Sequence, residues 1–129
     1  TMLRVKDPEA SLKFYQDIMG MKLIDEHDGG DFKLFFLGYD HQKGVARSQR
    51  EALLELTWNK GTEKDANFAY HNGNDEPQGF GHIAIAVDDI EAACKRFTEM
   101  GVKFKKRPEE GKMRNMYEFL FETRLEKIC

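Results

Sequence analysis

The sequence predicts an α+β fold of two paired βαβββ modules, the second incomplete or altered. Three observations predict it. Val5 to Lys13 lines up with Val87 to Lys95 at an offset of 82 residues, and Met19-Gly20-Met21-Lys22-Leu23 lines up with Met100-Gly101-Val102-Lys103-Phe104 at 81. In each copy a short alternating segment precedes a helical one, which ends at a glycine before a second alternating segment. The change from 82 to 81 places a single-residue difference inside the two helices. Duplicated units of this kind complete one core together, and the space between the halves is a natural place for a ligand cleft.

Leu3 and Val5 alternate with Met2, Arg4 and Lys6, which predicts a strand. Asp7-Pro8 supplies an N-cap and a proline at the first helical position. Leu12, Tyr15, Ile18 and Met19 give the helix one apolar face, and Gly20 sits where a left-handed C-terminal residue is wanted. Met21 to Ile24 and Phe32 to Tyr39 read as strands around the turn signal Asp28-Gly29-Gly30. Residues 40–50 read as a polar loop and Ala52 to Trp58 as the next strand, so the first module spans residues 1–58.

Residues 59–79 are rich in Asn, Gly, Asp and Lys without either periodicity and read as a linker. The second module spans residues 80–129. It is expected to begin with strand Phe80 to Val87, followed by a helix capped by Asp88 or Asp89 with Ile90, Ala93, Cys94 and Phe97 on its apolar face. Gly101 closes that helix before strand Val102 to Lys105. Beyond Met113 the tail has neither the Gly/Asp turn nor the closing alternating strand of the first module, and a strand and a short helix are both open there.

With 129 residues, 40% of them hydrophobic, the chain suits one domain or two coupled halves. Charged residues make up 33% but nearly cancel to −3, which gives no electrostatic case for nucleic acid or an anionic membrane and points to a small neutral or anionic ligand. No run approaches the roughly 18 apolar residues of a membrane span, and the first residues read as a strand and not as a leader, so a cytoplasmic location is expected. The two cysteines, Cys94 and Cys129, form no close pair, and Cys94 is expected to act as a small buried hydrophobe.

On the strand Ala52 to Trp58, Leu54, Leu56 and Trp58 share one face and Leu53, Glu55 and Thr57 the other. Taken alone, Glu55 is an ordinary exposed carboxylate on a half-buried sheet. In the second module Ile83, Ile85 and Val87 oppose His82, Ala84 and Ala86, and the two alanines leave room beside the imidazole. Carboxylate and imidazole are common ligands of zinc and nickel, which makes Glu55 and His82 a candidate pair, although two ligands are too few for a tight site. Through the repeat, the counterpart of His82 is the position just before Thr1, and that of Glu55 falls in the tail. The duplication thus calls for four ligands, of which two are visible. His27, His41 and His71 read as exposed.

Thr1-Met2-Leu3-Arg4-Val5-Lys6-Asp7-Pro8, Ser11-Leu12-Lys13-Phe14-Tyr15, Gly20-Met21, Leu54-Glu55-Leu56-Thr57, Tyr70-His71-Asn72-Gly73-Asn74, Gly79-Phe80-Gly81-His82-Ile83, Ala93-Cys94-Lys95-Arg96-Phe97 and Gly101-Val102-Lys103-Phe104 occur in that order. Together they resemble the glyoxalase I (lactoylglutathione lyase) family in its eukaryotic zinc-type form, continuously from Thr1 to about Met113. The resemblance implies the vicinal-oxygen-chelate fold and a homodimer with sites between subunits. It also implies isomerisation of the methylglyoxal–glutathione hemithioacetal to S-lactoylglutathione, with zinc (Zn2+), or nickel (Ni2+), as the metal.

Residue by residue, the resemblance implies that Glu55 and His82 are two of four metal ligands. A Gln ligand would stand immediately before Thr1. A Glu ligand that is also the catalytic base would stand near Ile128 in an Asp-Gly-Tyr-Trp-Ile-Glu-like segment, where the tail offers only Glu126 nearby. Arg4 and Asn59 match residues that bind the glutamyl end of glutathione, and Lys106, Lys112 and Met113 match the segment that folds over its other end. Gln78 replaces an arginine usual before Gly79-Phe80-Gly81.

The chain as written is therefore expected to bind zinc weakly, to turn over little, and to associate through apolar surface near Phe119 and Phe121. The alternative is an inactive form that binds glutathione conjugates or pairs with a complete subunit. Another vicinal-oxygen-chelate activity, such as a dioxygenase, is disfavoured by the glutathione-type residues.

Overall fold

Asp7 starts the first helix. Its backbone is extended (φ −121°), and its Oδ1 accepts from the amides of Glu9 at 3.0 Å and Ala10 at 3.2 Å, two donors that a helix start otherwise leaves without a carbonyl. The structure is a computed structural model that describes residues 1–106 and 120–121, with 105, 106, 120 and 121 as backbone only. The described residues fall into two compact units, one over Thr1–His71 and one from Asn72 onward.

The first unit runs β1 (Met2–Val5), α1 (Pro8–Lys13), β2 (Lys22–Asp28), β3 (Phe32–Gly38) and β4 (Leu54–Asn59), the βαβββ order expected from the sequence. Its sheet has the order β1-β4-β3-β2, with β1 parallel to β4 and the other neighbours antiparallel. The ladder extends upstream of β1, since the Glu55 amide donates to the Thr1 carbonyl at 2.8 Å and the Thr1 amino group to the Leu53 carbonyl at 3.0 Å.

Register sorts the side chains. Met2, Glu55 and Phe36 are mutual ladder neighbours, as are Arg4, Thr57 and Leu34, and as are Leu3, Leu56 and Phe35. Neighbours across a ladder point to the same side. One face therefore holds Leu3, Val5, Leu54, Leu56, Phe35 and Leu37. Val5, Leu37 and Leu56 are completely buried, and Tyr15, Met19 and Met21 of the helical arm are buried with them. Each such side chain contributes roughly 1.5–3 kcal/mol by leaving water. A slip of one residue in β4 would turn Glu55 and Thr57 into this core and Leu54 and Leu56 out of it, which is what fixes the register.

Phe14–Ile18 continue α1 as a π turn. There the Met19 amide bonds the Phe14 carbonyl, five residues back, at 3.1 Å. In α2 (Ile90–Glu99) the matching Met100 amide bonds the Arg96 carbonyl, four back, at 3.0 Å. The extra residue of the first module is thus absorbed as one wide turn. On either side of it the copies agree. Tyr15 and Phe97 are both buried, and Gly20 and Gly101 both end their helices at φ 74°.

In the second unit the cap is Asp89, whose Oδ1 accepts from the Ala92 amide at 2.9 Å. β5 (Phe104–Lys106) pairs antiparallel with β6 (Leu120–Phe121), Phe104 opposite Phe121 and Lys106 opposite Leu120. The rest of the tail, with the reading of its closing strand and of Phe119, lies outside the described residues.

Two expectations need correction. Residues 80–87 form no strand ladder among the described residues, yet Ile83, Ile85 and Val87 are half-buried and His82, Ala84 and Ala86 exposed, so the alternation survives. Alternation reports which way side chains face, whereas a strand also needs a paired neighbour. Cys94 is half-buried and not core, whereas Phe97, one turn on, is the buried residue of α2.

Elsewhere some bounds differ from expectation: β3 stops at Gly38, and β4 starts only at Leu54. β2 continues to Asp28 as a charged edge strand, the 40–50 loop holds short helical turns at Asp40–Gln42 and Arg47–Gln49, and Asn59 closes β4. Residues beyond Asn59 dock on the sheet: Lys6 Nζ donates to the Phe68 carbonyl at 2.6 Å, and Thr62 Oγ1 to the Lys6 carbonyl at 2.8 Å.

Candidate functional site

The sheet face opposite the core carries Met2 and Arg4 on β1, Glu55, Thr57 and Asn59 on β4, and Phe32, Leu34 and Phe36 on β3. Glu55 is half-buried between two buried leucines, Leu54 and Leu56, that anchor its backbone. Its Oε1 accepts from Thr57 Oγ1 at 3.4 Å, a long bond between residues on the same face. Thr57 is itself buried, so its hydroxyl is fixed where it can orient the carboxylate.

Arg4 and Asn59 meet across the β1–β4 pair, with Arg4 Nη1 3.5 Å from Asn59 Oδ1. Asn59 Nδ2 donates in turn to the Tyr70 hydroxyl at 3.1 Å. A planar guanidinium beside an amide oxygen offers donors to an anion and an acceptor to a cation within one small area. At the Phe36 end of the face, the Arg47 guanidinium stacks on the Phe36 ring, 4.2 Å from its centroid.

His82 belongs to the second unit and is exposed. The chain leading to it is shaped by Tyr70-His71-Asn72-Gly73-Asn74. Asn72 Oδ1 accepts from the amides of Asn74 and Asp75 at 2.8 and 3.1 Å, the Gly79 amide donates to the Gly73 carbonyl at 2.8 Å, and Asn74 Nδ2 donates to the Gly81 carbonyl at 3.1 Å. Gly73 has φ 76°, and a Cβ there would collide with the Phe80 backbone, so this corner requires glycine. The backbone of Lys106 lies in β5, also in the second unit, and Lys112 and Met113 lie outside the described residues.

The first unit therefore brings Arg4, Asn59 and Glu55 onto one face, while His82 and Lys106 belong to the other unit. Among the described residues no three of His, Cys, Asp and Glu are grouped so as to hold a metal ion. No helix among these residues is long and apolar enough to cross a membrane. Sequence reasoning assigned no contact to Tyr70, named only within a motif, or to Arg47. Both lie in segments without periodicity, and the only signal was an aromatic or a cation among polar loop residues.

The chain matches the family described as Glyoxalase/Bleomycin resistance protein/Dioxygenase superfamily over residues 1–124. It is 50% identical over 123 residues to a lactoylglutathione lyase of Schizosaccharomyces pombe, with 90% of this chain and 41% of that protein covered. It is 45% identical over 127 residues to a lactoylglutathione lyase of Pseudomonas putida, with 90% and 73% covered. Its structure is similar to that of the trypanothione-dependent glyoxalase I of Leishmania major, with a TM-score of 0.64, 32% identity, and 83% of this chain and 68% of that one covered. The chain thus spans about two fifths of the length of the Schizosaccharomyces pombe protein.

Proposed function

Because the chain belongs to the glyoxalase/bleomycin resistance protein/dioxygenase superfamily, we propose that it is a lactoylglutathione lyase. It would convert the hemithioacetal of methylglyoxal and glutathione to S-lactoylglutathione as a homodimer in the cytoplasm. The observation that carries this reading is the Arg4–Asn59 pair on the same sheet face as Glu55. It is supported by relatives that bear the name lactoylglutathione lyase.

The reaction moves one proton between adjacent carbons, so the protein must hold the substrate still, keep the migrating proton from water and stabilise the charge that develops on oxygen. Arg4 would take the glutamyl carboxylate through its planar fork, and Asn59 Oδ1 the neighbouring ammonium. Lys106, Lys112 and Met113 would cover the glycyl end. Glu55 and His82 would be two ligands of zinc, or of nickel. The bound ion would supply Lewis-acid stabilisation of oxygen charge. Thr57 would hold the Glu55 carboxylate in orientation.

The test uses the full-length gene product, loaded with zinc and supplied with methylglyoxal and glutathione, with the product thioester followed by absorbance. Thioester formation that falls by about 10²-fold or more in Glu55→Gln is expected, since even residues that only orient metal ligands are worth 10–100-fold. A parallel titration with S-hexylglutathione reports the binding face. Absence of both thioester formation and S-hexylglutathione binding would overturn the reading, whereas binding without turnover would leave a glutathione-conjugate-binding protein.

A further inference from the structure

His82 follows Gly79-Phe80-Gly81, and glycine on both sides of Phe80 makes the backbone ahead of the imidazole permissive. A ligand side chain is useful only where its backbone is held. The turn over residues 72–75 holds this stretch at both ends. The Gly79 amide donates to the Gly73 carbonyl at 2.8 Å, and Asn74 Nδ2 donates to the Gly81 carbonyl at 3.1 Å. A carbonyl only accepts, so this contact fixes the Asn74 amide with its nitrogen toward Gly81. Asn74 is placed in turn by Asn72, whose Oδ1 accepts from the amides of Asn74 and Asp75 at 2.8 and 3.1 Å and whose Nδ2 donates to Asp75 Oδ2 at 2.8 Å. The Gly81 carbonyl and the His82 amide belong to one planar peptide unit, so a donor on that oxygen sets the plane from which His82 departs.

We propose that Asn74 is a positioning residue for His82: by holding the Gly81–His82 peptide plane it presents the imidazole to a metal ion in one direction. The inference rests on the reading of His82 as a metal ligand. It has a consequence for Gly81. The φ of Gly81 is not positive, and a Cβ there would meet nothing nearer than Asn74 Oδ1 at 3.6 Å, an ordinary contact. Alanine at position 81 therefore fits the native backbone and narrows the same freedom that the Asn74 hydrogen bond removes. The two residues act on one variable, the setting of that peptide plane.

The test measures the zinc affinity of the full-length gene product by competition with a chromophoric chelator, beside its urea midpoint. Asn74→Ala and Asn74→Leu are each expected to bind zinc about 3- to 10-fold more weakly, the worth of one neutral hydrogen bond. Leucine keeps the bulk of the side chain and lacks the donor, so it should do no better than alanine. Adding Gly81→Ala to Asn74→Ala should recover about 2- to 5-fold, the worth of the backbone freedom it removes. Unchanged affinity in both Asn74 variants, or no recovery by Gly81→Ala, would overturn the role of Asn74 provided that His82→Ala still weakens zinc binding. A lowered urea midpoint with no recovery of affinity would make the hydrogen bond a merely structural one and overturn it equally. If His82→Ala leaves the affinity of the wild type as it was, His82 is not a ligand, and the positioning role falls with that reading.

Discussion

Arg47 lays its guanidinium 4.2 Å from the ring centroid of Phe36, and its Nε bonds Asp25 Oδ2 at 2.9 Å. Asp25 and Phe36 are ladder partners across β2 and β3, so one side chain from the 40–50 loop grips two strands of the sheet. This explains why Phe36 is only 7% exposed although it lies on the face away from the core, where Phe32 and Leu34 are half-exposed. The stacking is expected to contribute about 0.5–1 kcal/mol. The Asp25 pair adds little, since both partners are nearly half exposed and salt screens them. Urea unfolding of Arg47→Ala, Phe36→Leu and the double variant should show a coupling of that size that Arg47→Lys does not restore, because an ammonium lacks the flat stacking surface. Strictly additive effects would remove the clamp.

Asp28 gives a pH dependence with a definite sign. The Lys60 ammonium bonding its Oδ1 at 2.7 Å, with the Gly30 amide at 2.9 Å, holds its carboxyl below the ordinary value of 3.8. A carboxylate depressed in the folded state stabilises fully above its unfolded pKa and loses that contribution as pH falls through the folded one. The Asp28→Asn variant should therefore unfold at lower urea than the wild type at neutral pH and approach it only below pH 3.8. A difference that stays constant down to strong acid would show that Lys60 does not engage the ionised form.

The π turn predicts where the first helix tolerates a deletion. Asp17 is exposed and lies in the stretch that carries the one residue more than α2 has. Removing it should let the Met19 amide bond four residues back, as Met100 does, with Tyr15 and Gly20 kept in place. Removing Glu99 from α2, a regular helix, rotates everything after it by about 100° and should swing Gly101 out of its terminal position. Urea midpoints of the two deletions should differ sharply, with the Asp17 deletion near the wild type. Equal damage would mean that the wide turn is needed for packing.

How much of this was legible follows from what each signal encodes. The caps, the apolar stripe and Gly20 are local chemistry, so α1 was readable residue by residue, and the change of offset from 82 to 81 anticipated a helical irregularity without saying that it would be a π turn. The parity of β4 placed Glu55 and Thr57 together because strand geometry has period two. The segment holding His82 was readable as to facing but not as to pairing, since a ladder depends on a remote partner. Tyr70 and Arg47 act through contacts made by loops, where sequence distance carries no information about spatial distance, so Tyr70 entered only as part of a motif and Arg47 only as part of a polar loop.

The final prediction concerns Glu55 and its hydrogen bond from Thr57. The proposed function assigns zinc two donors among the described residues, Glu55 and His82, fewer than its usual complement; on that reading the 129-residue chain should bind zinc weakly in equilibrium dialysis, and Glu55→Gln should abolish that binding because an amide oxygen is a poorer, neutral ligand. Thr57→Val keeps the size and burial of the side chain but removes the hydroxyl 3.4 Å from Glu55 Oε1. It is expected to weaken zinc binding by about 10-fold, the low end for a group that orients a ligand, since the bond is long. The two variants separate the roles. Loss in Glu55→Gln with a smaller loss in Thr57→Val fits a ligand and its orienting hydroxyl, and equal affinity in wild type and Glu55→Gln would show that the zinc sits elsewhere and that Glu55 is an ordinary surface carboxylate.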